Sequence, residues 1–198
     1  MGLILKYDPG QTAISEDEIE GLRTKSITTQ DELNEAERLN IEQAIDWTLR
    51  RRFSAADVFT EKFITELHRR MYADVWKWAG SFRKSDKNIG VDWFTIPTQL
   101  RALLDDAIFW HDNETFSFDE RAIRFKHRIV SIHCFPNGNG RHSRLIADVI
   151  ASHVYKLPVF TWSAGYLQQK GHDRKQYLAT LRQADAGDIK NLIQFARS

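Results

Sequence analysis

The chain has 198 residues, enough for one well-buried core and short for two. Hydrophobic residues make up 42%, aromatics 12% and charged residues 28%, which is the make-up of a globular domain and excludes a disordered chain. With 28 basic against 27 acidic residues the net charge is +1, so there is no broad electrostatic case for nucleic acid or an acidic membrane as partner, and any basic site must be local.

The single cysteine, Cys134, excludes an intrachain disulfide. The opening Met1–Asp8 lacks a charged region followed by a long apolar core, and no segment reaches the roughly 18 apolar residues a membrane span needs. Met1-Gly2 suits myristoylation, but Lys6 stands where a hydroxyl residue is required. The expectation is a soluble, cytoplasmic protein.

Residues 1–15 include Pro9 and Gly10 and show no period, as an irregular arm would. Ser15-Glu16-Asp17-Glu18 reads as an N-cap with an acidic first turn, opening a short helix to about Leu22. Thr29-Gln30-Asp31-Glu32 has capping-box form and opens a long helix to about Arg51, with Leu33, Ala36, Ile41, Ala44, Ile45 and Leu49 along one face. Arg50-Arg51-Arg52 then complements the dipole of a solvated helix end. A further helix is predicted over Glu61–Val75, followed by Trp76 and Trp78 as core anchors and Ala79-Gly80 as the stop.

Residues 81–97 are the least helical stretch. Val91, Trp93, Phe94, Thr95 and Ile96 favour extended backbone, Asn88 and Gly90 supply turn chemistry, and Pro97 ends the run. The expectation is a β-hairpin or extended flap leaning on a helical body. Helices follow over about Thr98–His111 and Phe118–Ile132, then from the glycine-rich stretch to near Pro158, and finally over Ser163–Lys170, Asp173–Gln183 and Asp188–Ala196.

The chemistry gathers in His133–Arg144, H-C-F-P-N-G-N-G-R-H-S-R. Glycines at a helix start let backbone N–H groups converge on an anion, and the helix dipole favours negative charge there. Arg141 and Arg144 lie at i and i+3, where cations are unfavourable unless an anion is bound, and their guanidinium forks suit phosphate oxygens. His133, just before the loop, is placed to take a proton from a hydroxyl attacking phosphorus. Asn137 and Asn139 serve either as turn residues or as amide ligands. The histidines show no zinc-site spacing, and Cys134, flanked by His133, Phe135 and Pro136, reads as a packing residue rather than a nucleophile.

These residues resemble the signature of the Fic family, H-x-F-x-[D/E]-G-N-G-R-x-x-R, at His133, Phe135, Gly138, Asn139, Gly140, Arg141 and Arg144. Gly80-Ser81-Phe82-Arg83 resembles the family's entry into its target-binding flap, and the Thr28–Asn40 region is similar to the subgroup nicknamed mobile mystery protein B. The resemblance implies a mainly α, single Fic-like helical bundle with one small β-hairpin flap. It divides the chain into 1–54, an N-terminal arm and helices including an inhibitory helix, and 55–198, a catalytic core.

It also implies transfer of AMP from ATP, with Mg²⁺, to a Ser, Thr or Tyr hydroxyl of a target protein. His133 would be the base and Arg141 a catalytic charge on the leaving phosphates. Gly138, Asn139 and Gly140 would form the anion hole with Phe135 nearby, Arg144 would hold the γ-phosphate, and Tyr177 would line the base pocket. The target would add as a strand along the flap near Lys87–Ile96. Position 137 departs from the pattern, with a neutral amide where the family carries the carboxylate that binds Mg²⁺. In Thr28-Thr29-Gln30-Asp31-Glu32-Leu33 the family's inhibitory spacing assigns Glu32 to pair with Arg144, with Glu35 as second candidate; Glu32 is equally explained as its helix's cap. Phosphotransfer, AMP removal, and nucleotide binding without turnover stay open as alternatives, and so does a homo-oligomer.

Overall fold

The computed structural model describes residues 14–162 and 172–198; most of the N-terminal arm and the helix expected over Ser163–Lys170 lie outside these. Among the described residues the chain is helical: α1 Glu16–Ile19, α2 Gln30–Leu49, α3 Ala55–Val58, α4 Glu61–Tyr72, α5 Ile96–Asp112, α6 Phe118–Ile132, α7 Asn139–Val149, α8 His172–Asp185 and α9 Lys190–Arg197. No described helix is long and apolar enough to cross a membrane.

Local chemistry sets most helix starts. Ser15 donates its N–H to the Glu18 carboxylate at 2.8 Å, and Thr29 and Glu32 exchange bonds at 3.3 and 3.1 Å. Thr60 and Ser117 accept from Phe63 and Glu120 at the starts of α4 and α6. Pro97 does not close an extended run; it sits in the first turn of α5, where its missing N–H costs nothing.

Helix α4 packs on α2, α5 and α7, and α6 packs between α5 and α7. Ile64, Leu67, Met71, Leu100, Leu103, Ile123, Phe125, Ile129 and Ile146 form the centre of the core. The tryptophans anchor as expected: Trp76 is fully buried and stacks on Trp78 at 4.9 Å, and Trp78 donates to the Glu18 carbonyl. Helix α7 ends in a π-turn, Ile150–Val154, before Pro158.

The expected hairpin is not formed. Residues 81–92 make bends, Trp93–Thr95 a 3-10 turn, and no strand occurs among the described residues beyond one isolated bridge, Leu22 to Trp76. The reason is the choice of hydrogen-bond partner. Arg83 donates its backbone N–H to the Cys134 carbonyl at 2.9 Å, and Val91 to the Ile132 carbonyl at 3.4 Å. The two arms of the flap therefore bond to the chain around His133, and β-propensity in Val91–Ile96 has no ladder to join.

Candidate active site

His133 caps the C-terminus of α6 in the left-handed conformation, φ 58° and ψ 59°, and donates its backbone N–H to Ile129. That turn reverses the chain into the loop 134–138. Gly138, at φ +79°, is the N-cap of α7, so the N–H groups of Asn139, Gly140 and Arg141 point out of the helix end beside the loop. A Cβ on Gly138 would lie 2.5 Å from the Tyr72 ring, whereas one on Gly140 would meet nothing within 4 Å. Glycine at 138 is demanded by the protein, and at 140 there is open space on the helix end.

Several side chains hold this loop in shape. Asn139 is buried and closes it from within, accepting the Phe135 N–H at 2.9 Å and donating to the Phe135 carbonyl at 2.7 Å. Its carboxamide is thereby committed to the loop, and only its backbone N–H faces the helix end. Phe135 is fully buried and stacks on His68 at 3.7 Å, so it supports the loop instead of lining a ligand site. His68 accepts the Gly80 N–H at Nδ1, which leaves Nε2 to donate to the Asn137 carbonyl at 3.0 Å. Burial, then the neighbouring His142 and Arg141, push His68 well below the usual histidine range. Nothing in the motif pointed to His68; its signal was a histidine at i and a tyrosine at i+4 on the buried face of α4.

The His133 imidazole is pushed down to about 4, by burial first, then by the charges of Arg83 and Lys87, against a bond to the Val130 backbone. It is therefore neutral at physiological pH and able to accept a proton. Cys134 is buried and its thiol is pushed up to about 12 by burial, in keeping with a packing role.

Arg141 and Arg144 both start from the first turns of α7. Arg141 lies over the Tyr72 ring at 5.2 Å and pairs with Glu37 at 2.6 Å. Glu37 comes from the middle of α2, is 4% exposed, and also accepts the Trp76 indole N–H at 2.7 Å. This corrects the expected inhibitory pair. Glu32 is exposed and spends its carboxylate on Thr28 and Thr29 at its own helix start, and Glu35 pairs with Arg38 on the surface. Arg141 is the motif arginine that Glu37 pairs with. The pairing follows from long-range packing of α2 on α4, which no local spacing reports.

Arg144 acts electrostatically on a buried group of α6. Lys126, fully buried and held well below its usual range by burial and then by Arg144, bonds to the Tyr177 hydroxyl. Tyr177 is itself buried, 5.5 Å from Phe195, with burial raising its hydroxyl. The tyrosine expected in a base pocket is thus a core residue bonded to a lysine. Asp148 carries a carboxyl raised to about 6 by burial, tempered by N–H donors from Phe160 and Trp162.

The donor set does not fit a resident Mg²⁺. The Asn137 amide oxygen already accepts the Gly138 N–H at 2.6 Å, and no cluster of three His, Cys, Asp or Glu side chains occurs among the described residues. A hard divalent cation prefers anionic oxygen, which this loop does not supply.

A neutral histidine, a helix N-terminus with open space and two arginines on that end form a candidate phosphate-binding site. Residues 58–151 match the Fic/DOC family model. It is 32% identical over 143 residues to a protein adenylyltransferase Fic of Aedes aegypti, covering 70% of this chain and 27% of that protein. It is 29% identical over 137 residues to the protein adenylyltransferase fic-1 of Caenorhabditis elegans, covering 67% of this chain and 25% of that one. The chain thus spans about a quarter of the length of these relatives. Among solved structures it superposes on Fic-1 (residues 134–508) from C. elegans with TM-score 0.64 at 21% identity, covering 81% of this chain and 47% of the other. It also superposes on the BepC effector of Bartonella tribocorum with bound AMPPNP, TM-score 0.63 at 14% identity, covering 90% and 92%. These likenesses establish the fold.

Proposed function

We propose that the chain is a protein adenylyltransferase that moves AMP from ATP to a Ser, Thr or Tyr hydroxyl. The observation that carries this reading is the neutral, buried His133 that caps α6, separated by the loop 134–138 from the open N-terminus of α7. The hydroxyl oxygen attacks the α-phosphorus, its proton passes to the His133 imidazole, the bond to the β-phosphate oxygen breaks, and pyrophosphate leaves. The N–H groups at the start of α7 hold the α- and β-phosphates, and Arg141 and Arg144 neutralise charge on the leaving group. Glycine at 140 leaves room for those oxygens.

The names of the sequence relatives support the transferred group. The target polypeptide lies along the flap near Lys87–Ile96, in backbone contact as the family resemblance implies, although no strand edge is preformed there. A phosphate at Arg141 competes with the Glu37 carboxylate for the guanidinium, so α2 acts as an internal brake. A cytoplasmic setting suits this ATP-dependent reading.

Incubation with ATP labelled at the α- or the γ-phosphate tests it, in the natural chain and in Glu37→Gln, with covalent label on protein as readout. Label from the α position only, abolished by His133→Ala, is expected. Label from the γ position would indicate phosphotransfer, and ATP binding without covalent label in either chain would overturn the proposal.

A further inference from the structure

Arg83 is 2% exposed, and its guanidinium is committed to main-chain oxygens. Nε donates to the His133 carbonyl at 2.7 Å, Nη1 to the Ser85 carbonyl at 2.9 Å, and Nη2 to the Val91 carbonyl, with the Ile132 carbonyl at 3.5 Å. The nearest carboxylate, Asp86, stands 3.6 Å away and is mostly exposed, so it does not neutralise the group from within. A buried cation must be matched by hydrogen bonds, and here the match comes from the carbonyl-rich end of α6 and from both arms of the flap. Beside it Gly90, at φ +102°, approaches so closely that a Cβ would lie 2.6 Å from the His133 Cβ and 2.9 Å from Arg83 Nη2. One planar fork therefore joins the start of the flap, its end, and the residue that carries the imidazole.

We infer that Arg83 is a positioning residue: it sets the register of the flap 84–92, and hence of a polypeptide hydroxyl lying along it, against His133. The inference rests on the transferase reading for its consequence and on the geometry alone for the clamp. Displacements near 1 Å at a reacting centre cost rate heavily, and a rigid guanidinium spanning both sides removes that freedom. Its charge has a second effect, adding to the burial that keeps the imidazole neutral. Lysine at this position keeps the charge but loses the fork, so the two effects separate.

The test uses Arg83→Lys and Arg83→Gln in the full chain, with amide hydrogen exchange, NMR titration of the His133 ring, and AMP transfer from α-labelled ATP. Exchange over 84–92 is expected to quicken by about tenfold or more in both variants while 61–72 stays unchanged. The His133 ring is expected to keep its low pKa in Arg83→Lys and to rise in Arg83→Gln. Transfer to polypeptide should fall by about tenfold in kcat/KM, with ATP affinity held within about twofold. A folded variant whose flap exchanges as in the natural chain, or one that loosens 61–72 equally, overturns the clamp. Loss of ATP affinity in step with transfer overturns the positioning role. If the natural chain and Glu37→Gln transfer no AMP, the transferase reading fails, and hydrogen exchange alone decides the clamp.

Discussion

Glu37→Gln is the substitution whose effect follows most directly from the geometry. The glutamate has two partners, the Arg141 guanidinium at 2.6 Å and the Trp76 indole N–H at 2.7 Å. Glutamine is nearly isosteric and its amide oxygen keeps the indole bond, while its NH2 group replaces the oxygen that accepts from Arg141. What is lost is the charge facing Arg141. The arginine side chain is 35% exposed and the glutamate 5%, which places the pair between a surface pair and a buried one. Surface pairs are worth about 0–1 kcal/mol and breaking a buried one costs about 3–5 kcal/mol. Discounting for solvent on the arginine side, roughly 1.5 kcal/mol stands between Arg141 and a bound phosphate.

Removing it should tighten binding of a fluorescent ATP analogue by about tenfold. Thermal stability should fall by roughly 1.5 kcal/mol, the worth of the lost pair, and no further because the indole bond survives. Glu32→Gln, at the exposed helix cap, should leave nucleotide affinity unchanged and serves as the control. Equal affinity in Glu37→Gln and the natural chain would refute the brake, and tightening in Glu32→Gln as well would show that the effect is bulk charge.

Acidification should destabilise the fold. His133 and His142 sit near 4 in the folded chain and His68 is also lowered, all from an unfolded value near 6.5; the unfolded chain therefore takes up their protons first, and stability present above about pH 6.5 is lost as pH falls toward 4. Asp148, raised to about 6, opposes one of them, because the folded chain binds its proton first. Each unmatched imidazole is worth about 1.4 kcal/mol per pH unit, and a melting temperature flat between pH 7 and 5 would contradict the burial of these rings. The two glycines should separate fold from site. Gly138→Ala is expected to cost about 2 kcal/mol or more, from the left-handed backbone and the Tyr72 contact, read by chemical denaturation. Gly140→Ala should be neutral or slightly stabilising in the helix yet weaken ATP binding, and undiminished binding would move the phosphates elsewhere.

What the sequence determined by itself is local. The caps at Ser15 and Thr29 and the run from His133 to Arg144 depend on residues within a few positions of one another and fall where spacing put them, whereas the apolar face read along α2 is buried at Leu33 and Ala44 but exposed at Ile45 and Leu49. Tertiary structure decided the rest, because it turns on which distant surface a side chain meets. Capping logic and spacing singled out Glu32, four residues from Thr28, but the face of α2 that packs on α4 buries Glu37 and brings it to Arg141, more than 100 positions on. Extended propensity in Val91–Ile96 suggested a hairpin, yet the carbonyls of Cys134 and Ile132 accept the N–H groups of Arg83 and Val91, and the Arg83 guanidinium donates to the flap's own carbonyls. Propensity describes a residue's preference on a pleated surface; whether such a surface exists is settled by the helices that fold against it.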